Sequence, residues 1–188
     1  MGLLDRLFGG RFTQAPPDEP LLSYAAIMRE LYPFRAQLRT FTEALLARLP
    51  ENERSRLVRR VSRCYNLGED PATALAHGLL DAEKGQSLNQ LVLLSVDARG
   101  FDDFEYLAPL AVEASGIEEV YVYAHEGTCT MAQVLIDFDQ WLTAFGQRFL
   151  HLDTGDGEYV GCIVESDHIE NLIALASQAG IDARLDAF

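Results

Sequence analysis

Four residues with chemical potential stand at the ends of apolar runs. Asp97 follows Leu91–Val96, His125 and Glu126 follow Val120–Ala124, and Asp153 closes the run from Phe149. Carboxylates and an imidazole are ligands for a divalent cation, or the two halves of an acid–base pair. If the runs are strands and the first two are parallel, Asp97 and His125 emerge at one edge. That C-terminal edge is where open α/β sheets bind ligands. The competing role is plainer, since Asp after a strand is a common turn former.

Other motifs exclude more than they suggest. Leu152-Asp153-Thr154-Gly155 carries the Asp-Thr-Gly triplet of aspartic proteases, but that chemistry needs two carboxylates sharing a proton. Here the triplet occurs once, inside a turn-rich segment. His77, His151 and His168 have no partner at metal-ligand spacing, and each is expected to be structural or exposed. No GxxxxGK[ST], GxGxxG or GxSxG occurs, so a phosphate loop and a nucleophile elbow are both excluded. Cys64, Cys129 and Cys162 are widely spaced and lack a CxxC pair, which argues against structural zinc and for reduced thiols in the cytoplasm.

Two surfaces are candidates for a partner. Arg56, Arg59, Arg60 and Arg63 recur at helical spacing on one face. Such a face could hold an acidic partner or nucleic acid, but pairing with the acidic remainder of the chain is the preferred explanation. Tyr121 and Tyr123 share one face of an expected strand, either covering a helix or forming an aromatic patch.

Positioning these residues requires an alternation of elements. Leu21–Leu49 has helical periodicity broken at Pro33, and Glu51–Tyr65 follows as a second helix. Asp70 and Pro71 then mark the start of a third, closed by Lys84-Gly85. Leu91–Val96 is apolar enough for a central strand. A helix from Asp102, with Glu105 completing a capping box, leads to a second strand at Val120–Ala124. Met131, Val134, Leu135, Phe138, Trp141, Leu142 and Phe145 give the strongest amphipathic signal, ending at Gly146. A hairpin over 149–153 and 158–165 turns at Thr154-Gly155-Asp156-Gly157. Ser166 or Asp167 is expected to cap a last helix ending at Gly180, before an edge strand over 181–185. A faint repeat relates Leu94-Ser95-Val96-Asp97 to Leu150-His151-Leu152-Asp153.

Composition sets the class. Of the 188 residues, 48% are hydrophobic and 23% charged, which are ordinary globular values. The net charge of −14 is unevenly placed. Residues 1–66 hold 11 Arg against 7 acids, while residues 67–188 hold 4 basic residues against 22 acids. A segment at −18 repels nucleic acid and favours a basic partner or a cation. No apolar run is long enough for a membrane span, and the start is not a signal peptide. Residues 3–8 form a short amphipathic turn that could dock on a membrane, and 15–20 are a Pro-rich linker.

From Leu91 to Leu185 the pattern resembles an uncharacterised bacterial family, a domain of unknown function in small acidic proteins. The resemblance is carried by Val96-Asp97, Phe104-Glu105-Tyr106, Phe138-Asp139-Gln140-Trp141-Leu142 and Leu152-Asp153-Thr154-Gly155-Asp156-Gly157-Glu158-Tyr159. It implies no activity and no site residue.

The expectation is therefore an α+β (mixed α/β) fold: a five-stranded mixed sheet with helices packed on it, preceded by an N-terminal helical segment. Residues 1–20 form a flexible lead, 21–85 the helical segment and 86–188 the α/β core, with 21–188 one compact domain. The expected function is a non-enzymatic interaction or regulatory module, its acidic surface facing a basic protein partner. The alternative is a divalent-cation-dependent enzyme or sensor built on Asp97, His125 and Asp153. No cofactor, nucleic acid or stable membrane insertion is expected.

Overall fold

The computed structural model describes residues 23, 27, 30–123 and 129–186. The chain divides at Pro33 into two units, residues 1–33 and 34–188. Of the first unit, the described part includes one helical turn, in which Ile27 N donates to Ser23 O at 3.0 Å. The expected lead over residues 1–20, including the amphipathic 3–8 turn, lies outside the described residues. All that follows concerns the second unit.

Its first helix, α1 (Arg35–Leu45), is shorter than the periodicity from Leu21 suggests, because Pro33 and Phe34 sit in a turn immediately before it. α2 (Glu51–Asn66) buries Leu57, Val58, Val61 and Tyr65 along one face. α3 (Pro71–Leu80) starts as its sequence prescribes: Asp70 accepts from the N–H groups of Ala72 and Thr73, and Pro71 occupies the first turn. Gly78 lets α3 close on α2, since a Cβ there would sit 2.5 Å from Val61 Cγ2.

A β1 strand (Leu93–Val96) leads to α4 (Phe101–Ala114). The capping box expected from Asp102 and Glu105 is absent. Gly100 is the N-cap and no side chain caps the helix, so Asp102 and Asp103 lie in the first turn, where their charge suits the helix dipole. α5 (Met131–Thr143) is capped by Thr130, whose hydroxyl accepts from Gln133 N. The hairpin β2 (Gln147–Leu152) and β3 (Tyr159–Glu165) forms as expected. α6 (Ile169–Gln178) is entered through a 3-10 turn over Ser166–His168, without the expected Ser166 or Asp167 side-chain cap. β4 (Ala183–Arg184) is the short last strand.

Among the described residues the sheet has four strands in the order β1-β3-β2-β4, and every neighbouring pair is antiparallel. This corrects the expectation of five strands in a mixed sheet. The missing strand is Val120–Ala124, whose described residues lie outside the ladder. The reason is visible in its side chains. Tyr121 is buried against Phe104, Phe138 and Trp141, with ring centroids 4.8–6.2 Å away, while Val120 and Val122 are exposed. The segment has the in–out alternation of a strand, but it is held by aromatic packing rather than by backbone pairing.

Since β1 and β2 both run opposite to β3, they point the same way with β3 between them. Likewise β3 and β4 point the same way with β2 between them. Register assigns Leu94, Val96, Phe149, His151 and Ile163 to one face, and Leu93, Leu150, Leu152, Val160 and Cys162 to the other. The first face packs on α4 and α5, through Phe104, Ala108, Leu135, Phe138 and Leu142. On the helical side, α6 packs on α1, α1 on α2 and α2 on α3, with Leu38, Phe41, Leu57, Leu75 and Leu79 fully buried. Arg48 ties α1 to the sheet unit, donating to the carbonyls of Ser115 and Ile163. Among the described residues no helix is long and apolar enough to cross a membrane.

Candidate functional site

Strand direction alone collects carboxylates at one end of the sheet. β1 ends at Val96 and β2 at Leu152, pointing the same way, so Asp97 and Asp153 emerge at the same edge. Val96 pairs with Tyr159, which sets Glu158 opposite Asp97. Leu152 pairs with Ala183, and Asp153 N donates to Asp182 O at 3.0 Å, which sets Asp182 beside Asp153. Each strand therefore contributes one acid to the edge, in the order Asp97, Glu158, Asp153, Asp182. Asp156 adds a fifth in the hairpin turn, which Gly155 and Gly157 close with φ of 76° each.

The local roles of these acids are distinct. Asp97 Oδ1 accepts from Arg99 N at 2.7 Å, and Asp153 Oδ1 accepts from Gly155 N at 2.9 Å. Both are turn formers, the plainer of the two roles weighed from sequence, and both remain exposed. Glu158 accepts from the Ser95 hydroxyl. None of Asp97, Asp153, Asp156, Glu158 and Asp182 has an ion-pair partner among the described residues.

A cleft of about 340 Å³ opens between this edge and α3, lined by Ala76, His77, Asp81, Thr154, Asp156 and Glu158 among others. Its two sides differ in ion pairing. Asp81 is neutralised: Arg60 pairs with it at 2.8 Å, and its other oxygen accepts from Glu83 N and Lys84 N. The Lys84 and Glu83 backbone bonds and the Arg60 charge hold its carboxyl below the usual range. His77 faces Glu69 at 3.2 Å. The carboxylates of the hairpin side, Asp156 and Glu158, have no ion-pair partner among the described residues. Thr154, only 6% exposed, lines the cleft, and its hydroxyl has no hydrogen-bond partner among the described residues.

The sequence-derived candidates divide as follows. Asp97 and Asp153 share the edge but are separated by β3, two inter-strand spacings or about 10 Å of backbone. His125 and Glu126 lie outside the described residues, and the strand expected to carry them to the edge is not in the sheet. Tyr121 covers the helices, and Tyr123 packs edge-on against Phe104 at 5.2 Å. Burial pushes the Tyr121 hydroxyl up to about 12. Arg56 is consumed by Glu53 and the carbonyls of Lys84 and Gly85, and Arg60 by Asp81 and the Gly78 carbonyl. Among the described residues, Arg59 and Arg63 make no hydrogen bond or ion pair to the acidic part.

Glu158, Asp156 and Asp182 were missed as candidates. A hairpin reading with an explicit register would have reached Glu158, while Asp182 depends on which strand β4 joins. Glu165, Asp167 and His168 form another cluster, exposed, with candidate ligand atoms within 4.8 Å of one another. Its signal in the sequence is the i, i+3 spacing of Glu165 and His168. Cys162 is no nucleophile, because burial pushes its thiol up to about 12.

Comparison with known proteins adds a family match over part of the chain and no activity. No curated protein and no solved structure matches the chain. Residues 125–186, which contain α5, the hairpin, α6 and β4, match the model of an uncharacterised family described as "Domain of unknown function (DUF6630)".

Proposed function

We propose that this protein is a non-enzymatic interaction module whose acidic sheet edge receives a basic segment of a partner protein. What supports the reading is one observation: four strands and one turn deliver Asp97, Glu158, Asp153, Asp182 and Asp156 to the same edge, and among the described residues no ion pair satisfies them. Adjacent strands are about 4.8 Å apart, so the strand ends hold these carboxylates as a short row along one end of the sheet. Unpaired like charges held this close are a cost to the fold that a cationic partner removes. The cleft beside them supplies an apolar floor for the stem of an arginine or lysine, and the Thr154 hydroxyl supplies an acceptor. The three free cysteines fit a reducing compartment, the cytoplasm.

The test is fluorescence anisotropy with an arginine-rich octapeptide at two salt concentrations. Binding should weaken steeply from 50 to 300 mM salt, about as expected for screened surface charges. The double variant Asp156→Asn, Glu158→Gln should lose most of it, while Glu170→Gln, an exposed acid on α6, should lose little. Equal losses in both variants, or affinity indifferent to salt, refute the reading. Failure of the peptide to bind, with tight calcium or magnesium binding in its place, would instead favour the cation-dependent alternative.

A further inference from the structure

The opposite charge is concentrated elsewhere, in a groove between α1 and α2 of about 500 Å³. Four arginines line it, Arg35 and Arg39 from α1 and Arg59 and Arg63 from α2, against a single carboxylate, Glu43. On each helix the two arginines are four residues apart, a like-charge spacing that destabilises a helix.

Neither helix explains the arrangement internally. Arg35 and Arg63 have no hydrogen bond or ion pair among the described residues. Arg59 uses only Nε, donating to Ser55 O in its own helix at 3.0 Å, which leaves both terminal nitrogens available. Arg39 meets Glu43 at 2.8 Å, but both side chains are largely exposed and such a pair contributes little. The contrast within α2 is informative. Arg56 and Arg60, on the side facing α3, are engaged by backbone carbonyls and acids, whereas Arg59 and Arg63 line the groove.

We propose that this groove binds a small ligand carrying two or more phosphate groups. Guanidinium forks match phosphate oxygens two bonds at a time, and four of them from two sides surround a compact polyanion. The groove's volume falls within the usual range for small-molecule sites. An extended polyanion fits less well, because residues 67–188 carry a net −18 and repel a long phosphate chain. A compact ligand feels mainly the local field, within a Debye length of about 8 Å.

Isothermal titration of the full chain with inorganic pyrophosphate and with tripolyphosphate tests this. Saturable one-to-one binding is expected, tighter for tripolyphosphate. The double variant Arg35→Gln, Arg63→Gln should weaken it about tenfold or more. Arg99→Gln, an exposed arginine outside the groove, should leave it unchanged. Circular dichroism melts confirm that the double variant is folded, and Arg59→Gln serves in its place should it not be. No binding at millimolar pyrophosphate overturns the proposal, as does equal loss in Arg99→Gln. Sedimentation distinguishes the remaining occupant, the acidic edge of a second copy. Self-association abolished by the same double variant, in a chain that binds no pyrophosphate, would assign the groove to that contact instead.

Discussion

Arg60 and Asp81 meet at 2.8 Å where the arginine-bearing helix α2 reaches the end of α3. Asp81 also accepts two backbone N–H groups from the turn that follows it, and Arg60 also donates to the Gly78 carbonyl. The pair therefore fixes the α2–α3 contact and one wall of the acidic cleft. Asp81→Ala is expected to lower the denaturation midpoint more than Arg60→Gln, because it frees the Glu83 and Lys84 N–H groups as well as the guanidinium. Urea titrations of both variants, followed by circular dichroism, measure the order. An equal effect would show that the turn bonds contribute nothing.

Asp139 has a comparable role on the other side of the sheet. It accepts from Arg148 Nε and Nη2 and from Phe149 N, at 2.7–3.0 Å, so one carboxylate on α5 positions the start of β2. Its side chain is 14% exposed, and removing it leaves a charged and a backbone donor unsatisfied. Asp139→Ala should cost about 2–4 kcal/mol in urea unfolding. Arg148→Gln should cost less, since Phe149 N keeps its acceptor. Asp139 lies within a segment singled out in the sequence, Phe138–Leu142, but nothing local reveals its partner nine residues ahead.

What was legible in the sequence and what was not follows the range of the signal. α2, α3 and α5 could be read because each buries a stripe set by its own periodicity, and α3 also announces its start with Asp70-Pro71. The hairpin could be read because its turn and both arms are contiguous. Val120–Ala124 misled because alternation reports which side chains are buried, not whether the backbone finds a neighbour, and Tyr121 is buried by rings from α4 and α5. Asp97 and Asp153 were identifiable as strand-end acids. Glu158 and Asp182 join them only through register, a non-local property.

Gly161 tests that register directly. It stands opposite Leu94 and His151 on the face under α4 and α5. A Cβ there would lie 2.5 Å from two ring carbons of Phe149 and 2.8 Å from Leu150 O. Phe149 is fully buried and has no room to retreat. Gly161→Ala should therefore destabilise by about 1–3 kcal/mol, the range for overpacking a filled core. Unfolding of Gly161→Ala beside the wild-type chain measures it, and an unchanged midpoint would mean that the ring does not occupy this place.

His151 gives the chain a pH dependence separable from its many acids. It lies on β2, 2% exposed and edge-on to Phe149 at 4.9 Å. Burial pushes its imidazole down from 6.5 to about 4, against a weaker opposing pull from Asp139. Between these values the unfolded chain binds a proton that the folded chain does not. Folding stability must therefore rise with pH across that window and flatten above it. The full difference is about 3 kcal/mol, lost progressively as pH falls from 6.5 towards 4. His151→Leu removes this contribution while leaving the carboxylates in place. Plotted as wild type minus variant, unfolding free energies should slope between pH 4 and 6.5 and be level from pH 7 to 8. A level difference throughout would mean that the imidazole is protonated in the folded chain as readily as in the unfolded one.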